Sequence, residues 1–168
     1  MRQLNFSRLW PRITPWLNLP DVQDALMFGL FCDNPKYRPG DPPWLEGRGP
    51  INGQRARPGK LSWFQPWGRC HSIAPFAWAV SQKLHPDLRW GFLSSEWHTV
   101  AVGLDGGEIK IVADILLFKQ KSAEQSVEFV KQQPWSLYSS PGEIFGPAAA
   151  VGWEMFKEAR RQMEERAA

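Results

Sequence analysis

The sequence predicts an α+β domain in which a small antiparallel sheet packs on a helix that carries a cysteine, with further helices flanking it. Three observations lead there. Residues 73–84, IAPFAWAVSQKL, set Ile73, Phe76, Ala77, Val80 and Leu84 at helical spacing just after Cys70. Three strand-like runs follow, Leu88–Leu93, Trp97–Leu104 and Glu108–Phe118, and Asp105-Gly106-Gly107 between the last two is a hairpin signal. Helix start signals then stand on both sides of this block. A chain of 168 residues with 43% hydrophobic content supports one core, so a single domain over 1–168 is expected.

In chain order, the opening MRQLNFSRLWPRITPWLNLPD is broken by Arg8, Pro11, Arg12 and Pro15 and holds no apolar run of signal-peptide length. Residues 21–31 predict a short helix, with Asp21 as cap and Asp24 three residues on, ahead of Ala25, Leu26, Phe28 and Leu30. Residues 33–66 contain seven prolines and five glycines, which exclude a persistent helix or central strand and predict a long loop. Loops of this length in compact domains tend to be functional or disordered. This one also carries Arg48, Arg55, Arg57 and Lys60.

The next helix should begin near Ser72, because Pro75 fits only a first turn, and His85-Pro86 should end it. Cys70 then falls at or just before the helix N-terminus. A helix over Ala123–Gln132 follows Ser122. Ser140-Pro141-Gly142-Glu143 reads as a capping box opening a C-terminal helix over 141–168, with a restart at Pro147. Its end, KEARRQMEERAA, is charged on all sides and projects into solvent.

Composition narrows the function classes. The net charge of +3, from 20 basic and 17 acidic residues, is too mild to announce a nucleic-acid partner. No segment reaches the ~20 apolar residues of a membrane helix, so the expected setting is the cytoplasm, without membrane association. Two cysteines, Cys32 and Cys70, make no disulfide framework. Cys32 follows an apolar helix with no base nearby and reads as core. Ten tryptophans fill the core in part, while Trp44, Trp63 and Trp67, among Pro and Gly, are placed to line a groove.

The chemistry-bearing residues are Cys70, His98 and Asp114. A thiol at a helix N-terminus lies in the positive end of the helix dipole, which favours thiolate. It needs an imidazole partner, whose tautomer must in turn be fixed. If Leu104 closes on Glu108 across a three-residue loop, paired residue numbers sum to 212 and His98 stands directly opposite Asp114. Cross-strand partners lie ~4.5–5.5 Å apart at Cβ on one sheet face, within reach for a carboxylate to orient the ring. An acid inside the apolar run IKIVADILLF also demands a partner.

The order of cysteine at a helix start, histidine on a strand and aspartate on the next strand resembles the papain-like fold as trimmed down in transglutaminase-like peptidases and arylamine N-acetyltransferases. The matching stretches are WGRCHSIAPFAWAVSQKL, EWHTVAVGLDGG and IKIVADILLF, within residues 63–118, about a third of the chain. The resemblance implies a catalytic core over 70–118, with Gln65, five residues before Cys70, as an oxyanion donor beside the Cys70 N–H. It implies a thiol hydrolase acting on amide or peptide bonds through an acyl-enzyme, or acyl transfer to an amine. Trp63, Trp67 and Arg69 in the loop before Cys70 would then shape the groove for a peptide, protein or acyl substrate.

Blander readings stand beside this one. Buried cysteines are common, and His98 on a strand needs only a satisfied hydrogen bond. Asp114 finds an alternative partner in Lys110 or an arginine. His71 adjoins the nucleophile but points away from it, and His85 reads as an exposed helix end. Cys70, His71, His98 and Asp114 lack CxxC or HxxxH spacing, so neither metal nor cofactor is expected. The rival functions are a non-catalytic protein-binding, inhibitor or adaptor protein on the same scaffold, and a nucleic-acid binder that stacks bases on the loop tryptophans, which the mild charge disfavours.

Overall fold

A computed structural model of the chain describes residues 1–33, 70–95, 98–115, 123–132 and 134–168. The 33–66 loop beyond Asp33 lies outside the described residues. So do Gln65, Trp63, Trp67 and Arg69.

The elements run β1 (Arg2–Gln3), α1 (Phe6–Ile13), a 3-10 turn (Thr14–Asn18), α2 (Pro20–Asp33), α3 (Cys70–Leu84), β2 (Arg89–Ser94), β3 (Thr99–Asp105), β4 (Glu108–Ala113), α4 (Ala123–Gln132), β5 (Ser136–Tyr138), a second 3-10 turn (Glu143–Phe145) and α5 (Pro147–Ala167). The expected mixture of helices with a small sheet is therefore present. The sheet has five strands in the order β1-β4-β3-β2-β5. It is not wholly antiparallel as expected, because β1 joins β4 in parallel.

Alternation along the strands divides the core between the two sheet faces. Trp90 and Phe92 of β2, Ala101 of β3, and Ile111 and Ala113 of β4 pack with Ile73, Phe76, Ala77 and Val80 of α3. On the other face Leu93, Val100, Val102, Leu104 and Val112 meet Val130 of α4. Fully burying one such side chain contributes ~1.5–3 kcal/mol. Burial of β3 on both faces thus fixes its place in the middle of the sheet. Helix α2 lies against α3. Helix α5 returns to α2 through Phe28 and Trp153, whose ring centroids are 4.9 Å apart, and through a part-buried ion pair of Asp24 with Arg160 at 2.8 Å.

Several boundaries differ from those expected. Helix α3 runs from Cys70 rather than Ser72, which puts Pro75 beyond its first turn. Helix α1 is an element not expected from the prolines of the opening segment. Pro11 is housed within it, Asn5 caps it by accepting the Arg8 N–H at 3.0 Å, and Phe6, Trp10 and Ile13 are buried at helical spacing. The C-terminal helix is divided. Glu143 accepts the N–H groups of Ser139 and Ser140, as a capping glutamate does, but only one 3-10 turn follows before Gly146, at φ 106°, interrupts it. The long helix then starts at Pro147, where a fixed φ and a missing N–H suit the first position.

The hairpin carries the most consequential difference. Asp105 pairs with Glu108, so the connection is the two residues Gly106 and Gly107, at φ 55° and 89°, not a three-residue loop. Positive φ at both central positions is the requirement of a tight hairpin turn, and two glycines meet it without strain. A bulge between Gly103 and Leu104 then shifts the pairing once more, to Gly103 with Ile111 and Ala101 with Ala113. The paired numbers therefore sum to 214 near the site, and His98 is not directly opposite Asp114. Two single-residue shifts together preserve the parity of the pairing, so the two residues remain diagonal neighbours on one side of the ladder.

Candidate active site

The first turn of α3 brings Cys70 to the end of the sheet where β3 begins and β4 stops. His98 immediately precedes β3, and Asp114 immediately follows β4. Strict alternation would send both toward α4 with Val100 and Val112. Each lies one residue beyond the ladder, however, where the strand no longer dictates the face. Thr99, Ala113 and Asp114 thereby close a small pocket with Cys70, Ile73, Ala74, Ala77 and Ile115.

Local hydrogen bonds hold His98 in place. The Ser95 N–H donates to the His98 carbonyl at 2.9 Å, and the His98 N–H donates to Ser95 Oγ at 3.2 Å. Below this four-residue connection the hydroxyls of Ser94 and Thr99 meet at 2.8 Å across the last strand pair. Serine and threonine suit these positions because short hydroxyl side chains supply the bonds the turning backbone lacks.

His98 Nε2 donates to Asp114 Oδ2 at 2.5 Å, with both side chains buried. A second side-chain hydrogen bond joins the imidazole to Cys70. With Nε2 engaged by the carboxylate, Nδ1 is the ring nitrogen left for the thiol. Burial is the strongest single influence on His98 and disfavours its charged form, but the hydrogen bonds to Asp114 and Cys70, together with their charges, outweigh it and raise the pKa to about 9. At neutral pH the ring is therefore an imidazolium between a carboxylate and a sulfur. An imidazolium in contact with a thiol at a helix start favours thiolate.

Three residues singled out from the sequence as chemistry-bearing thus come together. Of the alternative partners considered for Asp114, Lys110 pairs instead with Glu108 on the exposed side of the hairpin. Cys32 belongs to helix α2, distinct in sequence and element from the site. His85 sits at the end of α3, where its backbone carbonyl accepts the Trp90 indole N–H at 3.0 Å. Gln65, Trp63, Trp67 and Arg69 lie outside the described residues. Among the described residues no cluster of three or more His, Cys, Asp or Glu is arranged to hold a metal, and no helix is long and apolar enough to cross a membrane.

Sequence reasoning missed one contributor. The buried side chain of Gln3, from β1, donates through Nε2 to the backbone carbonyl of Asp114 at 2.9 Å. A two-residue strand offers no periodicity to detect, so nothing in the sequence pattern pointed to it. No family model, curated protein or solved structure matches the chain.

Proposed function

We propose that the chain is a thiol hydrolase acting on amide or peptide bonds, with Cys70 as nucleophile, His98 as acid and base, and Asp114 as the group that orients the ring. The observation that carries this reading is the unbroken sequence of hydrogen bonds from a buried carboxylate through an imidazole to a cysteine at the start of a helix. The layout is similar to the papain-like and transglutaminase-like arrangement that the sequence resembles.

In the proposed reaction the Cys70 thiolate attacks the substrate carbonyl carbon, forming a C–S bond and a tetrahedral oxyanion. The backbone N–H of Cys70 is proposed as one donor to that oxyanion and Gln65 as the second. The His98 imidazolium gives its proton to the amine as the C–N bond breaks, leaving a thioester on Cys70. Now neutral, His98 takes a proton from water as that water attacks the thioester; the acid departs, and the thiolate and imidazolium are restored. An amine in place of water gives acyl transfer by the same steps. Asp114 holds the Nε2–H throughout.

Incubating the protein with a panel of peptide, aryl-amide and thioester acyl donors, followed by intact mass spectrometry, tests this. The expected result is an acyl adduct that maps to Cys70 and is absent in Cys70→Ala. Absence of any adduct from the most reactive thioesters, in protein that remains folded, would favour the rival reading of a protein-binding scaffold.

A further inference from the structure

The Asp114 carboxylate is aimed by a backbone that the sheet itself does not hold. Strand β4 ends at Ala113, and its parallel neighbour β1 pairs Gln3 with Val112 and donates the Leu4 N–H to the Val112 carbonyl at 2.9 Å. Continued by one repeat, the parallel ladder would bring the Phe6 N–H to the Asp114 carbonyl. The chain turns away first: Asn5 caps helix α1, which starts at Phe6, and that rung is lost. In its place Gln3 Nε2 donates to the Asp114 carbonyl.

We propose that Gln3 is a positioning residue for the site, its side-chain amide replacing the missing rung and fixing the backbone at Asp114 so that the carboxylate meets His98. The proposal rests on the catalytic reading of Cys70, His98 and Asp114. A second observation sets Gln3 apart from a filler of space. Its Oε1 is buried and has no hydrogen-bond partner among the described residues, a cost that leucine or methionine would avoid. The glutamine is placed to donate one bond at the expense of an orphaned acceptor. Its effect reaches the thiol through three bonds, Gln3 to the Asp114 backbone, Asp114 to His98 and His98 to Cys70, so Gln3 itself touches no substrate.

The test compares wild type with Gln3→Met, which keeps the side-chain length and removes the donor. Three quantities are read: the iodoacetamide alkylation rate at Cys70 from pH 5 to 9, the low-field NMR resonance of the His98 Nε2 proton, and Tm. The expected result is that the variant folds, loses the low-field resonance and alkylates about tenfold more slowly at pH 6, as misplacement of an otherwise intact catalytic group does. If Gln3→Met does not fold, Gln3→Asn, which keeps an amide but falls one methylene short, serves the same comparison. A lowered Tm with an unchanged pH profile and an unchanged resonance would mean a structural role only and would overturn the proposal. Should wild type itself lack an activated thiol, the catalytic reading fails, and this inference with it.

Discussion

Asp114→Asn is expected to lower the His98 pKa from about 9 and to slow acylation of Cys70 by about 10²–10⁴-fold. The reason lies in the balance of influences on the ring. Burial disfavours the imidazolium and remains in the variant, while the Asp114 charge is removed, the amide is a weaker acceptor, and only Cys70 is left to oppose burial. A neutral imidazole then meets a neutral thiol, and the asparagine is free to hold the wrong tautomer. A titration of the three histidine ring resonances by NMR, with His98→Ala for assignment, gives the pKa directly. The sign of the linked stability follows. Because folding raises the His98 pKa, the stability this group contributes is fully present below about 6.5 and is lost as pH rises through about 9. Wild type should therefore lose stability across that window relative to Asp114→Asn. A His98 that still titrates near 9 in the variant would show that Asp114 is not its main support.

Phe92→Ala should cost about 3–5 kcal/mol, the range for deleting a buried aromatic ring, and lower the urea midpoint accordingly. Phe92 is fully buried on the face of β2 that meets α3, stacked on Trp78 with centroids 5.8 Å apart. Its strand pairs with both β3 and β5, so the surrounding backbone has little freedom to close the cavity. Since small domains hold only ~5–15 kcal/mol in total, the variant should be close to unfolding at 37 °C. A loss below about 1 kcal/mol would mean that helix α3, and with it Cys70, is not held on the sheet by this core.

What the sequence revealed about the site was the order of its three residues and the hairpin that joins two of them, not the register. Glycines 106 and 107 marked the hairpin, but nothing in the sequence distinguished a two-residue turn from a three-residue loop, and the bulge at Gly103 left no pattern of its own. Direct opposition is not observed; His98 and Asp114 meet because each lies one residue beyond its strand, where the ladder no longer dictates the face. The central helix and three strands were legible because long periodic runs carry their own burial pattern. Helix α1 was hidden by Pro11, even though Asn5 and the spacing of Phe6, Trp10 and Ile13 contain its signal. Strands β1 and β5, of two and three residues, are formed by pairing with β4 and β2 and not by any local preference. The same holds for Gln3, whose importance lies wholly in a contact across 111 positions.

Whether Cys70 is an activated thiolate held by His98 is read from the pH dependence of iodoacetamide alkylation at Cys70 and Cys32, resolved by mass spectrometry, in native wild type and in His98→Ala. The expected result is a Cys70 rate that varies little between pH 6 and 8, because the thiolate is already formed, while in the variant the rate rises about tenfold per pH unit, as for an ordinary thiol of pKa ~8.5. Cys70 and Cys32 reacting alike in wild type, both with the steep rise of an unperturbed thiol, would mean that His98 does not activate Cys70.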